Sequence, residues 1–139
     1  MGVWESGHTQ ALDTLLADSV VYDYYPDGTR YTGRDQVAGY VAHVHAWAGQ
    51  VRLEVTAVHD AHPAAVAEWT MRGVQDRPIP GRIPVSTGRA FTLRGATVVQ
   101  LAPDGRIARA ADYIDVLSFV LQLGARVELP GGVTVQTVR

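Results

Sequence analysis

The 139-residue sequence contains no cysteine, no lysine and no asparagine. Without cysteine there is no disulfide frame, thiolate nucleophile, sulfur-ligated zinc or iron–sulfur centre. Without lysine no side chain can form a Schiff base, which excludes imine-type aldolase and covalent pyridoxal chemistry. All 12 cationic side chains are therefore arginine, and against 14 acidic residues they leave a formal net charge of −2. That balance lacks the concentrated basic face of a nucleic-acid binder. No apolar run reaches the roughly 18 residues of a membrane span. The opening residues Met1 to His8 lack the basic and long apolar regions of a secretory signal. The expectation is a cytoplasmic protein with neither membrane nor nucleic acid as partner. A hydrophobic content of 47% beside 19% charged residues is that of a globular chain. The side-chain chemistry left to it is that of carboxylates, phenols and imidazoles.

Residue patterning predicts helices first and strands after. Leu12, Leu15 and Leu16 share one side of a helix over 9–17, and 20–25 is β-branched and aromatic, ending in Pro26-Asp27-Gly28. Asp35 is the expected cap of a second helix, whose stripe of Val37, Val41, Val44 and Ala48 runs until Gly49. Strands are expected over 52–58, 64–73, 89–94, 96–101 and 106–114, the last two joined by Pro103-Asp104-Gly105. A short helix over 116–123 ends at Gly124, and 133–138 alternates like an edge strand or a loose tail. The reading is one α+β domain over 1–124 with a tail over 125–139.

Alternation on the late strand puts Ala108, Ala110 and Asp112 on one face and Ile107, Arg109, Ala111 and Tyr113 on the other. Two alanines before an acid leave room beside it, as in a cavity wall, where an apolar setting raises a carboxyl pKa toward acid/base use. Pairing with an arginine is the competing role for Asp112. Asp115 stands where the final helix begins, so it is a candidate N-cap. Tyr22, Tyr24, Tyr25 and Tyr31 cluster along the chain, and a phenol among them can serve an oxyanion or simply pack. His43 and His45 point about 200° apart on a helix and cannot grip one metal. His59 and His62 flank a turn without a third ligand at a convincing spacing. Neither metal nor cofactor is expected.

Several segments in order carry a resemblance: Glu68-Trp69-Thr70-Met71-Arg72-Gly73, the proline-rich 77–84, Ser86 to Gly95, Asp104-Gly105-Arg106-Ile107, Asp112-Tyr113-Ile114-Asp115 and Leu121-Gln122-Leu123-Gly124. This series resembles the SnoaL-like polyketide cyclases of the NTF2-like (nuclear transport factor 2 / ketosteroid isomerase-like) superfamily, over roughly residues 9–124. The resemblance implies a cone of curved, mainly antiparallel sheet, with N-terminal helices covering an apolar cavity, and a homodimer formed through the outer sheet face. It also implies a long first helix, of which only 1–6 stands before Thr9. The steroid-isomerase base position falls nearest Tyr24, beside Asp23. The Arg and Asp of the epoxide-hydrolase relatives fall near Trp69 and Met71, so that triad looks lost.

The implied function is a cofactor-independent cyclase of secondary metabolism that closes a ring in a polyketide-like, hydrophobic small molecule. A dehydratase, isomerase, epoxide-opening enzyme or non-catalytic binder on the same fold are the alternatives. The candidate catalytic residues are Asp112, Asp115 and Tyr24. The candidate substrate contacts are Tyr22, Trp69, Met71, His43, Phe91 and Tyr113.

Overall fold

The structure is a computed structural model that describes residues 2–137. It is a mixed α+β fold in which a large curved sheet carries four helices. In chain order these are α1 (Gly2–Ser6), α2 (Leu12–Leu15), β1 (Leu16–Tyr24), β2 (Thr29–Thr32), α3 (Arg34–Trp47), β3 (Ala48–Ala61), β4 (Ala64–Gln75), β5 (Arg89–Leu101), β6 (Ile107–Ile114), α4 (Val116–Gln122), β7 (Arg126–Leu129) and β8 (Val133–Gln136). Six strands form the sheet in the order β2-β1-β6-β5-β4-β3. Every neighbouring pair in it is antiparallel except β1 and β6, which run parallel. Among the described residues no helix is long and apolar enough to cross a membrane.

The stripe expected of the second helix is the one that α3 buries. Val37, Val41 and Val44 lie in the core with Tyr40 and Trp47, and Ala48 joins them as the first residue of β3. The helix thus stops at Trp47, before Gly49, because Ala48 already pairs with Gln75 across the sheet. Its N-cap is Gly33, at φ 80°, and not Asp35, which sits in the first turn. That left-handed backbone lets the Gly33 N–H reach Val20 O at 2.8 Å, a conformation costly for a residue with a Cβ.

Other boundaries move for the same reason, that strand pairing outweighs local propensity. The helix expected over 9–17 shrinks to Leu12–Leu15, since Leu16 pairs with Ile107 and opens β1. The strands expected over 89–94 and 96–101 are one continuous β5 passing through Gly95. Of the tail expected over 125–139, the described residues form no edge strand of the main sheet: β7 and β8 pair as a separate hairpin. Thr137 Oγ1 donates to Leu121 O at 2.8 Å and ties it to α4. The last residues expected in that alternation, from Val138, lie outside the described residues.

The loop after β4 is shaped by one buried side chain. Gln75 is fully buried; its Nε2 donates to Arg77 O (2.6 Å) and Val85 O (2.9 Å). Its Oε1 accepts from Thr87 N (2.7 Å) and Thr87 Oγ1 (2.5 Å). The amide therefore ties the two ends of the proline-rich segment together, and Ile79 and Ile83 are held against the interior. Gln75→Leu strands several buried polar groups and is expected to destabilise the fold by about 2–4 kcal/mol, read as a lower denaturation midpoint.

Candidate active site

The concave face of the sheet, with α3 and α4 across it, encloses a cavity of about 590 Å³ whose walls are mostly apolar. The least exposed acid in its lining is Asp112, only 3% exposed. Strand alternation on β6 directs Ala110, Asp112 and Ile114 into this space and turns Tyr113 outward. Three hydroxyls from three other elements converge on the carboxylate. Tyr22 Oη of β1 lies 2.9 Å from both carboxylate oxygens. Tyr40 Oη of α3 donates to Oδ2 at 3.1 Å, and Thr97 Oγ1 of β5 donates to Oδ1 at 2.6 Å. The Trp69 indole N–H of β4 in turn donates to Thr97 Oγ1 at 2.9 Å.

Burial pushes the Asp112 carboxyl above its usual value, while the hydrogen bonds from Thr97, Tyr22 and Tyr40 oppose the shift. Burial, and next the Asp112 charge, push the Tyr22 and Tyr40 phenols well above theirs, so both stay protonated donors at neutral pH. Tyr24 also lines the cavity, yet its hydroxyl takes no hydrogen bond from or to the described residues. Its pKa is raised chiefly by burial, with Arg82 acting the other way. Tyr40 is the hub of the aromatic packing: Trp4, Tyr22 and Tyr24 meet it edge-on and Tyr31 stacks on it at 4.7 Å. At the rim Arg82 pairs with Asp27, joining the proline-rich loop to the β1–β2 turn.

The cavity brings together Asp112, Tyr22, Tyr24, Trp69, Met71 and His43 from the candidate set. The other three lie elsewhere. Asp115 is exposed and caps α4, its Oδ1 accepting from Ser118 N–H at 3.0 Å. Tyr113 is 52% exposed on the opposite sheet face, against Tyr25. Phe91 is buried between Trp47 and Phe119 and contributes to the core behind the cavity. Asp23, beside Tyr24 in sequence, also faces away from it. Arg30 binds Asp23 at 2.6 and 3.1 Å with Arg109 at 3.4 Å, and the Arg30 hydrogen bond holds that carboxyl below its usual value. Among the described residues no group of three or more His, Asp and Glu is placed to hold a metal ion.

Tyr40 and Thr97 are the site residues that sequence reasoning missed. Tyr40 carries a weak signal, being a phenol three residues after Val37 on the apolar stripe. Thr97 carries one in register, standing directly across from Asp112 on β5.

Residues 1–110 match the SnoaL-like domain family, and the chain belongs to it. The match stops short of Asp112. Similar solved structures include TsrD from Streptomyces laurentii, at 25% identity and TM-score 0.78 over 89% of this chain and 88% of that one. Another is a protein with a ketosteroid isomerase-like fold from Catenulispora acidiphila, in complex with trimethylamine, at 26% identity and TM-score 0.70 over 87% and 85%. IdmH from Streptomyces antibioticus, a proposed polyketide cyclase, shares the fold at 21% identity and TM-score 0.73 over 89% and 92%. No curated protein matches the chain.

The raised carboxyl makes a stability prediction whose sign is fixed. A group whose folded pKa lies above its unfolded value stabilises below about pH 3.9, and that stability is lost as pH rises through the folded value. At neutral pH the buried charge of Asp112 is therefore a cost. Asp112→Asn is expected to unfold at equal or higher denaturant than the parent at pH 7, by up to about 1 kcal/mol. The advantage should vanish toward pH 4. A stability difference between the two proteins that does not change between pH 7 and pH 4 would contradict the raised carboxyl.

Proposed function

We propose that the protein is a cofactor-independent enzyme of secondary metabolism that closes a ring within a hydrophobic, polyketide-like small molecule. The observation that carries this reading is the buried Asp112 carboxylate, in the wall of an apolar cavity and supported by hydroxyls instead of a guanidinium. Hydroxyl donors sustain the anion without cancelling its basicity, and burial raises it, as a general base requires.

In an aldol-type closure Asp112 takes the proton from a carbon flanked by carbonyls, and the C–H electron pair becomes an enolate. The enolate carbon attacks a second carbonyl of the same molecule; a C–C bond forms as the C=O π bond breaks. The resulting alkoxide recovers the proton from Asp112, so the carboxylate is regenerated. Tyr24, which lines the cavity and has no hydrogen-bond partner among the described residues, donates to the developing oxyanion. Trp69 and Met71 hold the folded chain in a reactive shape, which contributes by restricting motion before attack.

Proton abstraction can be tested without the natural substrate, using a hydrophobic aryl 1,3-diketone in deuterated buffer. The protein is expected to accelerate exchange at the central carbon, with Asp112→Asn slower by about 10²–10⁴-fold. Tyr24→Phe should lose about tenfold or more. Exchange no faster than with Asp112→Asn would refute the base assignment, and undiminished exchange in Asp115→Asn separates the two aspartates.

A further inference from the structure

The two oxygens of Asp112 are not equivalent, and the reason lies in the donors behind them. An indole N–H can only donate. Trp69 therefore occupies one lone pair of Thr97 Oγ1 at 2.9 Å and leaves the hydroxyl proton to point onward. The acceptor it meets is Asp112 Oδ1, at 2.6 Å. From the geometry we infer that Trp69 and Thr97 are positioning residues that reserve Oδ1 of Asp112 as an acceptor, so that Oδ2 is the oxygen at which Asp112 takes up a proton. The assignment deepens the reading of Asp112 as the base and rests on that reading only for its catalytic consequence.

Gly95 makes the relay possible. It faces Trp69 across β4 and β5, and a Cβ there would lie 2.6 Å from the indole ring and 2.9 Å from Tyr113 O. No side chain fits, so the indole lies across β5 and its N–H reaches Thr97, two residues on along the same face.

The groups facing the carboxylate are Tyr22 and Tyr24 from β1, Tyr40 from α3 and Thr97 from β5. A proton arriving at Oδ2 turns that oxygen into a donor, and the phenol oxygens of Tyr40 and Tyr22 are its available acceptors. The phenol that accepts must then redirect its own hydrogen, and the open direction is the cavity that both rings line. Proton uptake at Oδ2 thereby presents a second O–H to the interior, beside Tyr24, at the moment negative charge develops on a substrate oxygen.

The test is a titration of Asp112 in the free protein, by carbon NMR of carboxyl-labelled aspartate, with the signal assigned from its loss in Asp112→Asn. Thr97→Val removes the donor to the anion and is expected to raise the Asp112 midpoint by about one pH unit. Thr97→Ser keeps the hydroxyl and should return it to the parent value, which a purely steric role would not do. Trp69→Phe frees Thr97 to turn and accept from a protonated Oδ1, so the midpoint should rise part of the way. An unmoved midpoint in Thr97→Val, or in Trp69→Phe, overturns the assignment. If the midpoints shift as expected while the parent fails to accelerate diketone exchange, the relay stands and the proposed reaction fails.

Discussion

The architecture of the interior follows from the need to keep one carboxylate out of water. An isolated buried carboxylate is costly by several kcal/mol even after relaxation, and it survives only where donors replace its hydration. Asp112 obtains Tyr22, Tyr40 and Thr97, which arrive from β1, α3 and β5 while the acid itself stands on β6. The parallel pairing of β1 with β6 puts Tyr22 across from Ala110, two residues before Asp112 and on the same face. The packing of α3 brings Tyr40 down from above. Helix placement, strand order and register are thus all read out at one pair of oxygens.

A second aspartate on the same sheet shows what a different choice of partners does. Asp23 is as little exposed as Asp112, and its neighbour Tyr24 pairs directly with Asp112 across β1 and β6. It faces the outer side, however, where the guanidinium groups of Arg30 and Arg109 hold its carboxyl low. A full opposite charge stabilises an anion and removes its appetite for a proton; neutral hydroxyls stabilise it and leave that appetite. Depth and partners together set the two acids apart: burial is the leading influence on Asp112 and the Arg30 hydrogen bond on Asp23. Arginine is the chain's only strongly basic side chain, and it pairs with Asp23 on the outer face and with Asp27 at the rim.

Much of this was legible in the residues. The stripe of α3, the inward face of Ala110 and Asp112, and the turn at Pro103-Asp104-Gly105 are local patterns with a known period and give the α+β order of elements, while the curved sheet around a cavity came from the family resemblance. Asp115 shows the limit of local reading, since a helix-capping acid and a cavity acid look alike in sequence; the structure shows it exposed and accepting from the Ser118 N–H, outside the cavity lining. Tyr113 was separable by alternation, because an inward Asp112 forces its neighbour outward. The partners of Asp112 were not legible in the same way. Counting back from the hairpin turn sets Thr97 opposite Ala111 or Asp112, and the choice between them depends on the register irregularity between Gln100 and Leu101, which no single-sequence pattern announces.

Family membership locates the cavity, and the chemistry must come from its lining. The SnoaL-like match covers 1–110 and so includes Tyr22, Tyr40, Trp69 and Thr97 but not the acid they serve. Those four residues make little sense as packing alone. Two phenols and a threonine directed at one point of an apolar cavity each forgo water for a partner, and an indole N–H spent on that threonine constrains which way its proton points. An apolar core at this position would need none of them. The arrangement fits the base we propose: hydroxyls hold and orient the Asp112 carboxyl without a countercharge, and Tyr24, which has no hydrogen-bond partner among the described residues, lines the same cavity.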